Sequence, residues 1–524
     1  MNQRSHQIEI LFQQGRRLHD AGQLVAAEGV FRQILVTNPD HADSLHRLGV
    51  MALQTGHYES ALGLIDQAIA HRPSNAAFHV HRAHALLALG RAQDALTTAR
   101  HAKHLKHKLA EASLVVGHAL SDLGCPAEAV NAYREALRLE PQLPDLQNAM
   151  GLALREAHRP GEAMAAFRKA LQQVPGDVVA SGNLAGILKD TGALAEAEAI
   201  YRDILHHHPD DATAHLNLAI FLLLAERFEE AWPEWAWRFR ADDKLLPMRF
   251  TDLEWRGEPL RGRTLLVHAE QGMGDVLQFC RYIDRLPLDA RVVLQVHRPL
   301  VRLLSRLPCI TQVAELGDDP PHYDLRVPIM SLPLALGLTK MTDAAMTGPY
   351  LTADETEAAR WRECLSGLPA PRVGLVWAGN PERMRMDRRR SIPAAQLAPL
   401  TQGPGMSFVS LQKGSAAAEL VATPFAGKVY DPTEALADFA DTAALIAGLD
   451  LVIGVDTAVV HLAGAMGKPV WLLNRADSCW RWGVGRTDTV WYPTLRQFRQ
   501  TRSGGWGEVI ERVAVALAGF ARAA

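Results

Sequence analysis

Three short stretches in the second half of this 524-residue chain place carboxylates, arginines and glycines where an apolar run gives way to helical spacing. The first is Glu270-Gln271-Gly272-Met273-Gly274-Asp275, directly after the run at 263–269 (RTLLVHA). Its glycines permit a tight turn and close approach by a ligand, and the start of a helix favours negative charge. Asp275 sits at that start and reads either as a helix N-cap or as a base. The second stretch, 379–391 (GNPERMRMDRRRS), sets Arg383, Arg385, Arg388, Arg389 and Arg390 against Glu382 and Asp387. Guanidinium forks match phosphate oxygens; the alternative is a solvated charged loop. The third is 454–461, GVDTAVVH. There a strand should end at Val455 and a helix begin at Thr457, so backbone amides face a pyrophosphate and Asp456 faces sugar hydroxyls. His461 falls one turn on, on the face of Thr457; a purely structural histidine is the other reading. Lys413, at a further strand end, suits a phosphate or solvent equally. Trp480 and Trp482 suit stacking on a base or burial.

The elements that would hold these loops follow from the apolar pattern. Runs at 263–269, 291–296, 311–316 and 325–329 predict one set of short strands, and runs at 372–378, 407–412, 450–455 and 469–473 a second. Helices are expected near 276–286, 394–401, 437–448 and 457–466. Near-continuous apolar strands alternating with helices argue for parallel sheets covered on both faces. Two such units predict two Rossmann-like lobes with ligands at the carboxyl ends of the strands.

The first 211 residues are of another kind. Prolines recur 34 residues apart at Pro39, Pro73, Pro141, Pro175 and Pro209, with His107 filling the one gap. Small residues stand 24 before each (Gly15, Gly49, Ala83, Gly117, Gly151, Ala185), alanines 12 before, and bulky residues 8 before: Phe31, Ile65, Tyr133, Phe167 and Tyr201, with Ala99 the exception. The small residue is expected to let two helices of a hairpin close up, and the bulky one to fill the gap to the next hairpin. A fixed period of this length marks stacked helical repeats. The pattern resembles the tetratricopeptide (TPR) family, with six units over residues 8–211 and a partial seventh over 212–240 that ends in Trp232, Trp235 and Trp237. These tryptophans predict a docking surface.

VHAEQGMGDVLQFCRY (267–282) and GVDTAVVHLAGAMGKPVWLL (454–473) are similar to the two loop motifs of the heptosyltransferase-like, family 9 glycosyltransferases, over roughly residues 262–500. That resemblance implies a GT-B fold, an inverting and metal-independent transfer with no cofactor, Asp275 as general base, Arg390 on phosphate, and Asp456 and Thr457 on the donor sugar and phosphates. The loop readings add Gln271, Gly272 and Gly274 on the acceptor side and Arg388, Lys413 and His461 on the nucleotide-sugar. Ala458 replaces the motif's usual glycine. The combination of repeats and GT-B domain resembles protein O-glycosyltransferases, such as the O-GlcNAc transferases and bacterial flagellin-modifying enzymes. It implies a Ser/Thr acceptor held by the repeats. Asn183 and Asn217 share one position of an asparagine ladder for a peptide, where earlier units have Arg47, His81, Val115 and Ala149. A catalytically silent scaffold, or an enzyme acting on a saccharide or lipid-linked acceptor, are the alternatives.

The expected organisation is repeats at 8–240, a linker at 241–261, an acceptor-side lobe at 262–350, a linker at 351–371, a donor-side lobe at 372–500 and a last helix at 501–524. Lys and Arg number 55 against 58 Asp and Glu, a net charge of −3, which implies no general pull toward nucleic acid or membrane. Five scattered cysteines and the absence of a signal-like apolar core in residues 1–14 lead to the expectation of reduced thiols in the cytoplasm.

Overall fold

A computed structural model of the chain describes residues 3–143, 145–242, 253–344, 348–379, 389–402, 405–502 and 504–523. It forms two compact units, Met1–Leu188 and Lys189–Ala524.

The first unit is built of antiparallel helix pairs: α1 (Gln3–Asp20) with α2 (Leu24–Thr37), α3 (Ala42–Gln54) with α4 (Tyr58–His71), α5 (Ala76–Ala88) with α6 (Ala92–Leu105), α7 (Ala110–Asp122) with α8 (Pro126–Leu139), and α9 (Leu146–Glu156) with α10 (Pro160–Gln173). Helix α11 (Val178–Asp190) begins the next pair. Each second helix that meets a repeat proline ends two residues before it, because the ring removes a donor and restricts the residue in front. Pro126 and Pro160 open α8 and α10, where a missing N–H costs nothing. The small and bulky positions meet inside one hairpin. A Cβ on Gly15 would lie 2.7 Å from the Phe31 ring, on Gly49 2.5 Å from Ile65 and on Gly151 2.5 Å from the Phe167 ring. The bulky residue thus closes its own hairpin and, as expected, also reaches the next one: Phe31 shares a buried cluster with Leu48 and Met51, and Tyr201 packs on Phe221. The unit with alanine at both positions, Ala83 and Ala99, buries both fully.

The second unit starts with α12 (Leu194–His207), α13 (Ala212–Leu224), α14 (Phe228–Trp235) and a single turn, α15 (Arg238–Ala241). Two parallel sheets follow. Strands β1 (Thr264–His268), β2 (Arg291–Val296), β3 (Gln312–Glu315) and β4 (Leu325–Pro328) lie in the order β3-β2-β1-β4. Strands β5 (Arg372–Val376), β6 (Ser407–Ser410), β7 (Val429–Tyr430), β8 (Leu451–Val455), β9 (Val470–Asn474) and β10 (Leu495–Arg499) lie in the order β10-β9-β8-β5-β6-β7. Eight of these strands coincide with the apolar runs. β7 is two residues long, and β10 (LRQFR) carries polar residues that hid it. The predicted helix at 276–286 is α16 (Met273–Phe279), continued as a 3₁₀ segment to Arg285. Helix α17 (Glu355–Cys364) lies within the expected linker and packs on α18 (Phe439–Ala447). Helix α19 (Ala458–Ala465) follows β8, and α20 (Gly507–Ala523) covers the second sheet through Val509, Ile510, Val513 and Leu517. The fold is thus the expected one, helical repeats followed by two parallel α/β sheets.

The expected docking tryptophans divide. Trp232 and Trp235 are buried in an aromatic cluster with Phe279 and Trp480, and Phe228 packs edge-on to Trp491. Trp237 instead stacks on His215 of α13, with ring centroids 3.9 Å apart. The last helical hairpin is therefore part of the α/β unit.

Candidate active site

Strand β1 delivers its chain to Gly272, which occupies the cap position of α16. Asp275 is the third residue of that helix and turns back, so that Oδ2 accepts the Gly272 N–H at 2.8 Å. This is half of a capping box, and it corrects the reading of Asp275 as the N-cap itself. Its other oxygen, Oδ1, accepts from Arg481, a buried residue of the loop after β9. The Arg481 Nε donates to Gln278 of α16 at 2.5 Å, and Nη1 reaches Cys479 Sγ at 3.1 Å. Gly272 is extended (φ −73°, ψ 165°), so nothing in its backbone demands glycine. Gly274 is demanded by space, since a Cβ there would sit 2.9 Å from His461 Cδ2. Helices α16 and α19 cross at this point, and the two sheets present their loop motifs to each other. Gln271 is half-buried beside them.

On the second sheet, β8 ends at Val455 and Thr457 caps α19 in extended conformation (φ −140°, ψ 165°). Its buried Oγ1 has no hydrogen-bond partner among the described residues, and the first turn of a helix carries amides without intrahelical acceptors. His461 lies one turn on. Nδ1 is 2.8 Å from the Tyr492 hydroxyl, Nε2 is 3.5 Å from Asp456 Oδ1, and the ring stacks on buried Trp482 at 5.3 Å. A neutral ring protonated at Nε2 satisfies both partners. Burial acts to raise the Asp456 pKa, but hydrogen bonding from His461 and the charge of Arg390 hold it well below the usual carboxylate range. Burial pushes the His461 imidazole down, with Asp456 opposing. An ionised carboxylate beside a neutral imidazole is the result.

The basic loop divides at the edge of the described residues. Arg383, Arg385 and Arg388 lie outside them. Arg390 is half-buried and acts on Asp456. Arg389 is paired with Asp477, which also lies 3.8 Å from Arg475. Lys413 stands apart from this group, since its ammonium donates to the carbonyls of Thr433 (3.1 Å) and Leu436 and ties down the turn after β7. Beside it, buried Gln412 accepts the N–H groups of Trp377 (3.0 Å) and Ala378 (2.8 Å) and donates to Ala378 O, fixing the chain where the basic loop leaves β5. Trp480 is buried in the aromatic cluster, which excludes it as an open stacking platform.

Several residues of the site have no counterpart in the sequence reading. Arg481, Tyr492 and Arg238 belong to no spaced motif, and Glu270 and Gln278 lie within the first motif without having been assigned a role. Arg238 Nη2 lies 3.0 and 2.8 Å from the two oxygens of Glu270 and 2.7 Å from Ser331 Oγ. Two buried glutamines on strand ends or helices, Gln278 and Gln412, were the available signal, because a buried amide has to be hydrogen-bonded.

In the repeats, Asn183 Nδ2 donates to Asn148 Oδ1 at 2.8 Å. Its neighbour is therefore Asn148 and not residue 149. The same 35-residue step joins His46 Nε2 to His81 Nδ1 at 3.1 Å. Asn217 is half-buried on α13.

The repeats match tetratricopeptide-repeat families at residues 154–212 and at 116–178 and 184–243, and the family of anaphase-promoting complex, cyclosome, subunit 3 at 20–102. Residues 435–485, which hold α18, β8, α19 and the Arg481 loop, match glycosyltransferase family 9 (heptosyltransferase). The chain joins tetratricopeptide repeats to a C-terminal segment similar to family 9 glycosyltransferases. It is 31% identical over 331 residues to Protein FlbA of Caulobacter vibrioides, across 58% of this chain and 54% of that one. The chain thus spans about half the length of the curated relative it matches. Among solved structures, a thermophilic TPR protein of Thermus thermophilus is 25% identical, with 34% of this chain and 98% of that one covered and a TM-score of 0.31. A tetratricopeptide repeat protein from Parabacteroides merdae is 18% identical, with 47% and 94% covered and a TM-score of 0.38. No helix among the described residues is long and apolar enough to cross a membrane.

Proposed function

We propose that this chain is a glycosyltransferase that moves a sugar from a nucleotide-activated donor to a hydroxyl, on a protein presented by the repeats. The observation that carries this reading is the meeting of the two loop motifs, with Gly274 against His461 and Asp275 joined to Arg481. One sheet supplies an oriented carboxylate and the other an anion-suited helix start, both at strand carboxyl ends.

In the reaction, an acceptor hydroxyl gives its proton to Asp275 as its oxygen bonds to the anomeric carbon. The bond from that carbon to the donor diphosphate breaks, and the diphosphate leaves with the electron pair. Arg390, the start of α19 and the Thr457 hydroxyl hold its charge, with Arg388, outside the described residues, assigned to it from the sequence; the reading calls on no metal or cofactor. Asp456, ionised and partnered by His461, accepts from the donor's hydroxyls. Asn148 and Asn183 of the first unit offer amides to a peptide backbone, and Asn217 does so in the second.

Asp275→Asn keeps an acceptor for the Gly272 N–H and removes the base. It is expected to lower transfer by about 10²- to 10⁴-fold while nucleotide binding by calorimetry stays unchanged. Transfer at the parent rate would remove Asp275 from the chemistry. Intact-mass analysis of co-expressed candidate proteins reads acceptor and sugar together. Failure of every common nucleoside diphosphate to bind would favour a silent scaffold.

A further inference from the structure

We propose that Glu226, in the turn between α13 and α14, is a positioning residue for the cleft, holding in place the loop that carries Arg481. Its catalytic consequence rests on the transferase reading above.

The turns of the helical hairpins are spaced 34 residues apart, and at Gly22, Gly56, Gly90, Gly124 and Gly192 the backbone takes the left-handed conformation, with φ from 73° to 85°. Glycine adopts it without cost. His158 (φ 57°) fills the same place in the α9–α10 hairpin and Glu226 (φ 59°) in the last one. A glutamate side chain in that conformation costs on the order of 1 kcal/mol or more, so its presence calls for a compensating contact. The contact is Arg486, 260 residues away in sequence, whose Nη1 donates to Glu226 Oε1 and whose Nε donates to Asp488 at 2.8 Å. Opposite the carboxylate the loop has Gly483 (φ 61°), where a Cβ would stand 2.9 Å from Glu226 Oε1. The loop is thus shaped to receive this side chain.

Two residues before Gly483 is Arg481, which binds Asp275 and Gln278. Its guanidinium lies 4.2 Å from the Trp480 ring centroid, and Trp480 packs against Trp232 and Trp235 of α14. Trp482, between them, carries His461. The loop that orients the cleft therefore backs onto this hairpin, with Glu226 as its polar tether and the tryptophans as its apolar floor.

The test uses the full chain and four variants: Glu226→Gly, Glu226→Arg, Arg486→Glu, and the last two combined. Glu226→Gly relieves the backbone, so the melting temperature is expected to hold or rise. Hydrogen exchange of amides in 475–491 should nevertheless quicken about three- to tenfold, because the pair is largely shielded. Transfer should lose on the order of tenfold in kcat, with the donor KM within about twofold, since misplacement and not donor binding is at issue. Each charge reversal should do the same, and the combined reversal should restore much of both. Unchanged exchange in all the single variants, or no recovery in the combined one, overturns the proposal. Quickened exchange that the combined variant restores, in a protein that transfers no sugar from any nucleotide-sugar, would leave the tether standing and remove the transferase reading.

Discussion

The two units solve the burial problem in opposite ways. In the first, the buried set repeats every 34 residues: alanines at 27, 61, 95, 129 and 163 are all fully buried, and the bulky partner meets a small residue 16 positions earlier. Its contacts are local in sequence and apolar. In the second, the decisive contacts are polar and join unrelated segments. Arg238 pairs with Glu270, Arg481 with Asp275, 206 residues off, and Arg486 with Glu226. An array of repeats gains stability by adding neighbours, whereas a site needs groups fixed at one place by unrelated segments. The difference shows why the hairpin α13–α14, in register with the repeats by sequence, belongs by packing to the α/β unit.

Breaking the Arg238–Glu270 pair would press this contrast hardest. Both side chains are almost fully enclosed (1% and 0% exposed), and burial already acts to raise the Glu270 pKa against the arginine's pull. Arg238→Met leaves a carboxylate without its counter-charge, at a cost of about 3–5 kcal/mol. Hydrogen exchange should quicken throughout residues 189–524 and leave 3–188 unaltered. A uniform change in both would mean that the units do not unfold separately. A smaller effect is expected in the first unit from Gly117→Ala, whose methyl meets the Tyr133 ring. Overpacking there should cost about 1–3 kcal/mol, confined to that unit in urea unfolding followed by exchange. Wild-type stability in this variant would show that the helices of a hairpin yield easily.

The smallest expected effect is acid-linked. Burial lowers His46 to about 3 and His84 to about 4 from an ordinary 6.5. Between these values the unfolded chain binds protons that the folded one refuses, so stability falls as pH drops from about 6.5 toward 4. His84→Asn should flatten that slope in the first unit, measured as urea midpoints at pH 7 and pH 5. A parent midpoint independent of pH would contradict the enclosure of these rings.

How much was legible follows the same division. The repeat period, eight strands and the three loop motifs could be read directly, because each is written in contiguous or evenly spaced residues. Asp275, Asp456, Thr457 and His461 were singled out that way, and the fold brings them close together around Gly274. Lys413 was read as meeting phosphate or solvent, because no spacing reveals the carbonyls at Thr433 and Leu436 that its ammonium meets. Strand β10 was missed because Arg496 and Gln497 break the apolar run, although Gln497 is buried and donates to the Trp482 and Asp488 carbonyls.

The sequence by itself determined the repeat helices, eight of the ten strands and which loops carry charge, since periodicity, proline and glycine act over a few residues. Only the tertiary structure decided which arginine meets Asp275, which face of Trp482 meets His461, and why the last hairpin turn holds glutamate where five others hold glycine. Those choices depend on groups brought together from separate segments, for Asp275 and Glu226 from more than two hundred residues away, where desolvation makes an unpaired charge costly and leaves one arrangement favoured.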